Sequence, residues 1–144
     1  MGDPATHYPP IELTLRVRYA ETDAMGVAHH ASYIVWLEQG RTELLRACGT
    51  SYRAIEAAGF FVVLTDLQAR YLAPARYDDV VVVQARLDGL RSRGLRFAYE
   101  VKSGGEKLVT GATDHIWIDK ATGRPCRTPE VLREPFERLA GLNS

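Results

Sequence analysis

A carboxylate, a glycine and two histidines lie within eight residues of one another near the start of the chain. Asp23 and Gly26 belong to the run Thr22-Asp23-Ala24-Met25-Gly26, which predicts a turn because Asp bonds to nearby main chain and Gly permits positive φ. His29 and His30 follow, where a helix is predicted to begin. At such a site a carboxylate could attack a carbonyl carbon or act as a base, while unpaired helix amides stabilise the developing oxyanion. On local physics alone, such an Asp is more often a turn former or cap.

The elements that must position these residues are a strand before the turn and a helix after it. Residues 11–19 alternate apolar Leu13, Leu15 and Val17 with polar residues, which predicts a half-buried strand. Residues 31–48 carry apolar side chains every three or four positions, which predicts an amphipathic helix. Gly49 is its expected end, and a short second helix is expected to run from Thr50 or Ser51 to Ala58.

The second half of the chain predicts strands joined by short links. Runs 61–73, 80–87, 95–101 and 108–118 are strand-like, and Asp88-Gly89 and Arg93-Gly94 are turn signals. Because these links are too short for parallel crossovers, the expected architecture is α+β, an antiparallel sheet of about five strands wrapped around one long helix. A terminal helix over 129–139 is expected to be interrupted at Pro135. Val80–Val83 is apolar on both faces, which favours a central strand.

Composition limits the class of protein. The 144 residues predict a flexible arm over 1–10 and one domain over 11–144. The formal net charge is zero, so no global field favours nucleic acid, and no apolar run suits membrane insertion. Cys48 and Cys126 fit no zinc spacing and are expected to be reduced thiols in the cytoplasm. The adjacent histidines form a poor metal site, so no metal is expected.

The central motif also carries a family resemblance. Asp23-x-x-Gly26-Val27 is followed by His30 and Tyr33, with Glu38 and Arg41 further on. This pattern resembles the hot-dog acyl-CoA thioesterases of the 4-hydroxybenzoyl-CoA thioesterase family, and most closely their Tol-Pal-associated branch. Two later segments, 71–79 with its proline and 119–129 after the last strand, resemble the same family.

The resemblance implies a hot-dog fold and hydrolysis of an acyl-CoA thioester by water alone, without a cofactor. Asp23 matches the aspartate that attacks the carbonyl or acts as general base, and both roles stay open. His30 matches the residue whose main-chain amide points at the thioester oxygen. Side-chain roles for His30 and Tyr19 are implied too, but each could equally be a structural residue.

Substrate contacts are also implied by the resemblance. Gly26, Val27 and His29 are expected at the acyl site, although His29 replaces the usual aromatic residue. Arg76, Arg91, Ser92 and Arg93 are candidates for binding CoA; arginines at strand ends are otherwise solvated surface residues. The resemblance further implies a homodimer that pairs sheets edge to edge and shares active sites, and dimers that pair into a homotetramer.

Two acidic residues near the motif have structural roles as the expected ones. Glu21 is expected to be an exposed turn acid. Glu38 could be the catalytic acid, as in another hot-dog lineage, but an ion pair with Arg41 is the expected role. The same fold could also serve a β-hydroxyacyl thioester dehydratase, or a domain that only binds acyl-CoA or scaffolds a partner.

Overall fold

The computed structural model of the protein describes residues 10–139. Its strands are β1 (Ile11–Arg16), β2 (Phe60–Tyr71), β3 (Val80–Leu90), β4 (Gly94–Ser103), β5 (Glu106–Asp119) and β6 (Pro125–Cys126). Its α-helices are α1 (His30–Ala47), α2 (Tyr52–Ala57) and α3 (Glu130–Leu139). The predicted N-terminal arm, apart from Pro10, lies outside the described residues.

The strands form one antiparallel sheet in the order β1-β3-β4-β5-β2, with the short β6 paired to β5. The prediction of an antiparallel sheet with about five long strands is therefore confirmed. The interior position expected for β3 is also confirmed, since β1 and β4 flank it. Its faces differ, however: Val81 and Val83 are fully buried, whereas Val80 remains 42% exposed.

Helix α1 packs on one face of the sheet, mainly against β1 and β3. Tyr33, Trp36, Leu37 and Leu44, spaced three, four or seven residues apart, are all buried against it. A Cβ added at Gly40 would lie 2.9 Å from Cγ1 of Val83, so this glycine lets α1 approach β3 closely. The predicted helix over 31–48 is confirmed to within one residue at each end.

Two local predictions are wrong. Asp88-Gly89 is not a turn: it continues β3 as a β-bulge, where the register with β4 shifts between Leu87 and Gly89. Pro135 does not interrupt α3, which runs continuously from Glu130 to Leu139. Pro135 removes one main-chain hydrogen bond, while buried Leu132, Phe136 and Leu139 hold α3 on the core, with Phe136 packed against Trp117.

The two ends of the sheet are covered by different segments. At one end, β1 finishes opposite Val80 and β2 finishes opposite Val109. The loop between Val17 and His30 lies at this end, where the Val17 amide donates to the Asp79 carbonyl. At the other end lie the turn at 91–93, β6 and α3, since Thr128 bonds to Arg91 and Ser92. Ten residue steps along β3 separate these ends by about 33 Å.

Candidate functional site

The loop that joins β1 to α1 is a small closed hairpin. Thr22 and Ala28 form an antiparallel bridge, and the Asp23 amide donates to the Val27 carbonyl at 2.9 Å. The Gly26 amide closes the turn by donating to the Asp23 carbonyl at 3.0 Å. Gly26 has φ +80°, a left-handed conformation that favours glycine, which explains the Asp-x-x-Gly spacing. The predicted turn is confirmed.

Asp23 uses one carboxylate oxygen to hold this turn. Its Oδ1 accepts from the Met25 amide at 2.8 Å and, more weakly, from the Val27 amide at 3.4 Å. Its Oδ2 has no hydrogen-bond donor among residues 10–139. The side chain is half-buried. Asp23 is therefore a turn former, as local physics predicts, and also carries an oriented oxygen that is available for chemistry.

The start of α1 presents main-chain amides that no side chain caps. His29 is the N-cap residue but makes no side-chain cap bond, and the Ser32 amide donates back to the His29 carbonyl at 3.0 Å. The amides of His30 and Ala31 have no acceptor within residues 10–139. Such amides, at the positive end of a helix of 18 residues, can stabilise an oxyanion.

A second segment, residues 74–77, packs on the hairpin. The Ala28 amide donates to the Ala75 carbonyl at 2.8 Å, and Val27 bridges Arg76. The Ala75 amide donates in turn to the hydroxyl of Tyr33 at 2.8 Å. Burial raises the pKa of Tyr33, which keeps this phenol protonated. The Pro-containing bend therefore positions the hairpin against the first turn of α1.

These elements enclose one side of a cavity of about 240 Å³. It is lined by Val27, Ala28, His30, Tyr33, Tyr71, Leu72, Ala73 and Pro74. The His30 ring stacks on Tyr71 with centroids 4.5 Å apart, and the Tyr71 hydroxyl donates to the His30 carbonyl at 3.3 Å. Val27, a predicted acyl-site residue, and His30, a predicted catalytic residue, line this cavity. The predicted acyl-site residues Gly26 and His29 and the predicted catalytic Asp23 are nearby in the chain but do not line it.

Tyr19 occupies a 3₁₀ turn over Tyr19–Glu21 and is 78% exposed. Its ring packs edge-to-face on Tyr77, with centroids 5.6 Å apart. No hydrogen bond or ring contact joins its side chain to Asp23 or His30 within residues 10–139. Within one chain the hairpin connects Asp23 to the start of α1, whereas the side chain of Tyr19 contacts neither.

The predicted CoA-binding residues separate into two places. Arg76 lies beside Val27 at the hairpin, with its amide bonded to Asp79 Oδ2 at 2.9 Å. Arg91 and Ser92 instead line a cavity of about 250 Å³ at the opposite end of β3. Arg93 lies in the same turn, where its carbonyl accepts from the Trp117 amide.

Two further arginines, which were not predicted from the sequence, line this second cavity. Arg127 and Arg133 line it together with Arg91, Ser92, Thr128 and Glu137. The Nε atom of Arg133 is buried without a hydrogen-bond partner in the described part of the chain. Arg127 and Arg133 come from the segment after β6 and from α3, and only the fold brings them to Arg91. The cluster suits a phosphate group.

Two predictions about acidic residues are wrong. Glu21 is not an exposed turn acid: it is only 9% exposed and bonds to Trp36 and Arg18. Glu38 forms no ion pair with Arg41, because Arg41 turns inward and donates to the hydroxyls of Tyr52 and Tyr99. Glu38 stays exposed on α1.

Two general features bear on ligand class. Within residues 10–139, no three side chains of metal-ligating type converge. None of the α-helices between residues 10 and 139 has the length and hydrophobicity of a membrane span.

Comparison with known proteins gives consistent matches over most of the chain. Residues 17–136 match the thioesterase-like superfamily. The acyl-CoA thioester hydrolase YbgC of Escherichia coli is 36% identical over 125 residues, which are 86% of this chain and 93% of that protein. A hypothetical protein from Thermus thermophilus is 39% identical, with TM-score 0.83 and 92% and 98% of the two chains covered. The DHNA-CoA thioesterase of Staphylococcus aureus is 29% identical, with TM-score 0.86 and 92% of each chain covered.

Proposed function

The chain belongs to the thioesterase-like superfamily, and we infer from this membership and the site that it is an enzyme that hydrolyses acyl-CoA thioesters. The reaction breaks the carbonyl C–S bond and forms a C–O bond to the oxygen of water, so that a carboxylic acid and free CoA are released. Water is the only co-reactant, and neither metal nor organic cofactor takes part. One observation carries the assignment: the free oxygen of Asp23 lies one short hairpin away from the uncapped amides of α1.

In this mechanism Asp23 Oδ2 acts on the thioester carbonyl while Oδ1 keeps the side chain oriented. The carboxylate either attacks the carbonyl carbon or removes a proton from the attacking water, and either route uses the free Oδ2. The His30 amide donates a hydrogen bond to the carbonyl oxygen as negative charge develops on it, supported by the dipole of α1. The thiolate of CoA leaves and takes up a proton.

The protein is further proposed to work as a homodimer in the cytoplasm, with dimers pairing into a homotetramer. β2 is a 12-residue edge strand whose outer side no strand pairs within residues 10–139. It exposes Val63 and Leu64 by 40% and 44%, and such an apolar edge favours pairing with another strand. Pairing with β2 of a second copy about a two-fold axis satisfies both edges at once. Free Cys48 and Cys126 fit a reducing compartment.

Such a dimer would also explain why the arginine-lined cavity lies far from Asp23 in one chain. When two β2 strands pair antiparallel, the Tyr71 end of one lies beside the Phe60 end of the other. The cavity with Arg91, Arg127 and Arg133 of the second copy then lies at the same end of the combined sheet as Asp23. The thioester would bind at Asp23 and the CoA phosphates at the arginines of the second copy.

This assignment of the arginines has a direct kinetic test. Arg91→Ala should raise KM for an acyl-CoA by about tenfold, because a hydrogen bond to a charged group contributes about 1.5 kcal/mol or more. KM for the matching acyl-pantetheine, which lacks the nucleotide, should not change. Arg53→Ala, at an exposed position on α2, is the matched control. Equal effects of Arg91→Ala on both substrates would contradict the assignment.

A non-catalytic acyl-CoA-binding domain is the second candidate, because the bonds of Asp23 Oδ1 explain an aspartate here without any reaction. A dehydratase finds less support, since the helix acid Glu38 is exposed and distant along α1 from the hairpin. Thiol release should be measured on acyl-CoAs from acetyl to palmitoyl, benzoyl and hydroxybenzoyl, beside calorimetric titration with CoA. Hydrolysis of any of them supports the enzyme, whereas CoA binding without hydrolysis supports the binding domain.

A further inference from the structure

Glu21 is a buried carboxylate between the two parts of the proposed site. It ends the 3₁₀ turn at Tyr19–Glu21, two residues before Asp23, and only 9% of it is exposed. Burial of an acid is costly unless the charge is hydrogen-bonded, so the environment of this side chain needs a physical explanation. No step of hydrolysis described above uses it.

The carboxylate accepts from two directions. Oε1 accepts from the Arg18 amide at 2.8 Å, at the exit from β1. Oε2 accepts from the indole Nε1 of Trp36 at 2.9 Å, on the second turn of α1, and from Arg18 Nη2 at 3.4 Å. Desolvation raises the pKa of Glu21, but these hydrogen bonds and the charge of Arg18 together lower it below its ordinary value. Glu21 is therefore ionised at neutral pH.

The main chain of Glu21 reaches the same helix. Its carbonyl accepts from the His29 amide at 2.8 Å and from Ser32 Oγ at 3.0 Å. The side chain and carbonyl of Glu21, two residues before Asp23, thus bind the N-cap and the first two turns of α1. Together these bonds fix where the amide of His30 lies relative to the hairpin.

We propose that Glu21 is a positioning residue for hydrolysis: its buried carboxylate, bound to Trp36 and to the Arg18 amide, holds the oxyanion-binding end of α1 in register with Asp23. This role rests on the proposed thioesterase function. Glu21 does not touch the substrate, so its removal should affect the chemical step rather than binding. A misplacement of about 1 Å can cost about 100-fold in rate, which sets the scale of the effect.

The variant Glu21→Gln tests the role at nearly constant volume. A glutamine has one acceptor oxygen, so its amide nitrogen must face either the Arg18 amide or Trp36 Nε1, and one donor loses its acceptor. We expect kcat for an acyl-CoA to fall by about 10- to 100-fold with KM nearly unchanged. Trp36→Phe should also lower kcat. The double variant should lose no more kcat than the more impaired single variant, because both changes break the same connection between Glu21 and Trp36.

Tyr52→Phe is the control for general destabilisation. It removes a hydroxyl that accepts from Arg41, in a buried network further along α1. We expect it to lower the melting temperature while kcat stays near the wild-type value. Hydrogen exchange gives a second readout: Glu21→Gln should accelerate exchange of the His29 amide, and Tyr52→Phe should not.

The possible results distinguish a failure of the positioning role from a failure of the proposed thioesterase function. An active wild type whose Glu21→Gln variant keeps kcat, or loses no more than Tyr52→Phe does, overturns the positioning role alone. A wild type inactive on every thioester overturns the thioesterase function and this role with it. A selective fall in kcat with faster exchange at His29 supports both.

Discussion

Acidification should destabilise the protein through His115, a buried residue on β5. Its ring is 3% exposed, and Nε2 lies 2.9 Å from the hydroxyl of Thr113. Nδ1 has no hydrogen-bond partner in the described part of the chain. Burial, followed by the positive charge of Arg41, lowers the pKa of His115 from 6.5 to about 4. The folded protein therefore holds a neutral imidazole at physiological pH.

The sign of the pH effect follows from the two pKa values. Because the folded value lies below the unfolded one, the unfolded chain binds more protons between pH 4 and 6.5. The free energy of unfolding must then fall as the pH falls through this window. Between about pH 7.5 and about pH 5, His115 alone should account for a loss of about 2 kcal/mol.

Urea unfolding followed by circular dichroism at those two pH values measures this loss. The matched variant is His115→Gln, which does not titrate and whose amide can still bond to Thr113. The drop in unfolding free energy between the two pH values should be about 2 kcal/mol smaller in the variant than in the wild type. Equal drops would refute a neutral, buried His115, because the other titrating groups are common to both proteins.

Two other predictions concern packing and assembly. Gly94→Ala should lower the unfolding free energy by about 1–3 kcal/mol, since its Cβ would collide with the carbonyl oxygen of His115. Gly89→Ala, where nothing lies within 4 Å of the added Cβ, is the control, and equal losses in chemical denaturation would contradict the steric argument. Leu64→Arg, which places a charge on the edge strand β2, should convert the proposed homodimer to a monomer in light scattering. A wild type that is already monomeric, or a variant that keeps the wild-type mass, would contradict pairing through β2.

Much of the fold could be predicted because its signals are local. The spacing of Tyr33, Trp36, Leu37 and Leu44 placed α1 to within one residue at each end, and the alternating patterns located the long strands. The turn at 22–26 was equally predictable, because Asp23 and Gly26 each have a specific conformational role there. The relatives and structural neighbours agree with the fold and the enzyme class.

Where prediction failed, contacts between distant segments decided the structure. Glu21 is buried because Trp36, fifteen residues later, supplies a donor, and nothing in the residues around Glu21 indicates this. Arg41 is drawn inward by Tyr99, from a strand more than fifty residues away, rather than by the neighbouring Glu38. At Asp88-Gly89, pairing with β4 overrides the local turn preference.

Only part of the candidate site could be predicted from the sequence. Asp23 and the amides of α1 were predictable from the motif, and the structure places them on one hairpin and the helix that follows it. The arginine-lined cavity was not, since Arg127 and Arg133 join Arg91 only after β6 and α3 have folded back on the turn.

The measurement that tests the central claim most directly is thiol release from the best acyl-CoA substrate by Asp23→Asn. An asparagine keeps an oxygen that can accept from the Met25 and Val27 amides, so the hairpin and the fold should survive. It cannot act as nucleophile or base, so activity should fall below about 1% of the wild type, a loss of about 100-fold or more. If the folded variant keeps more than a few per cent of wild-type activity, Asp23 is a turn former and the catalytic account is wrong.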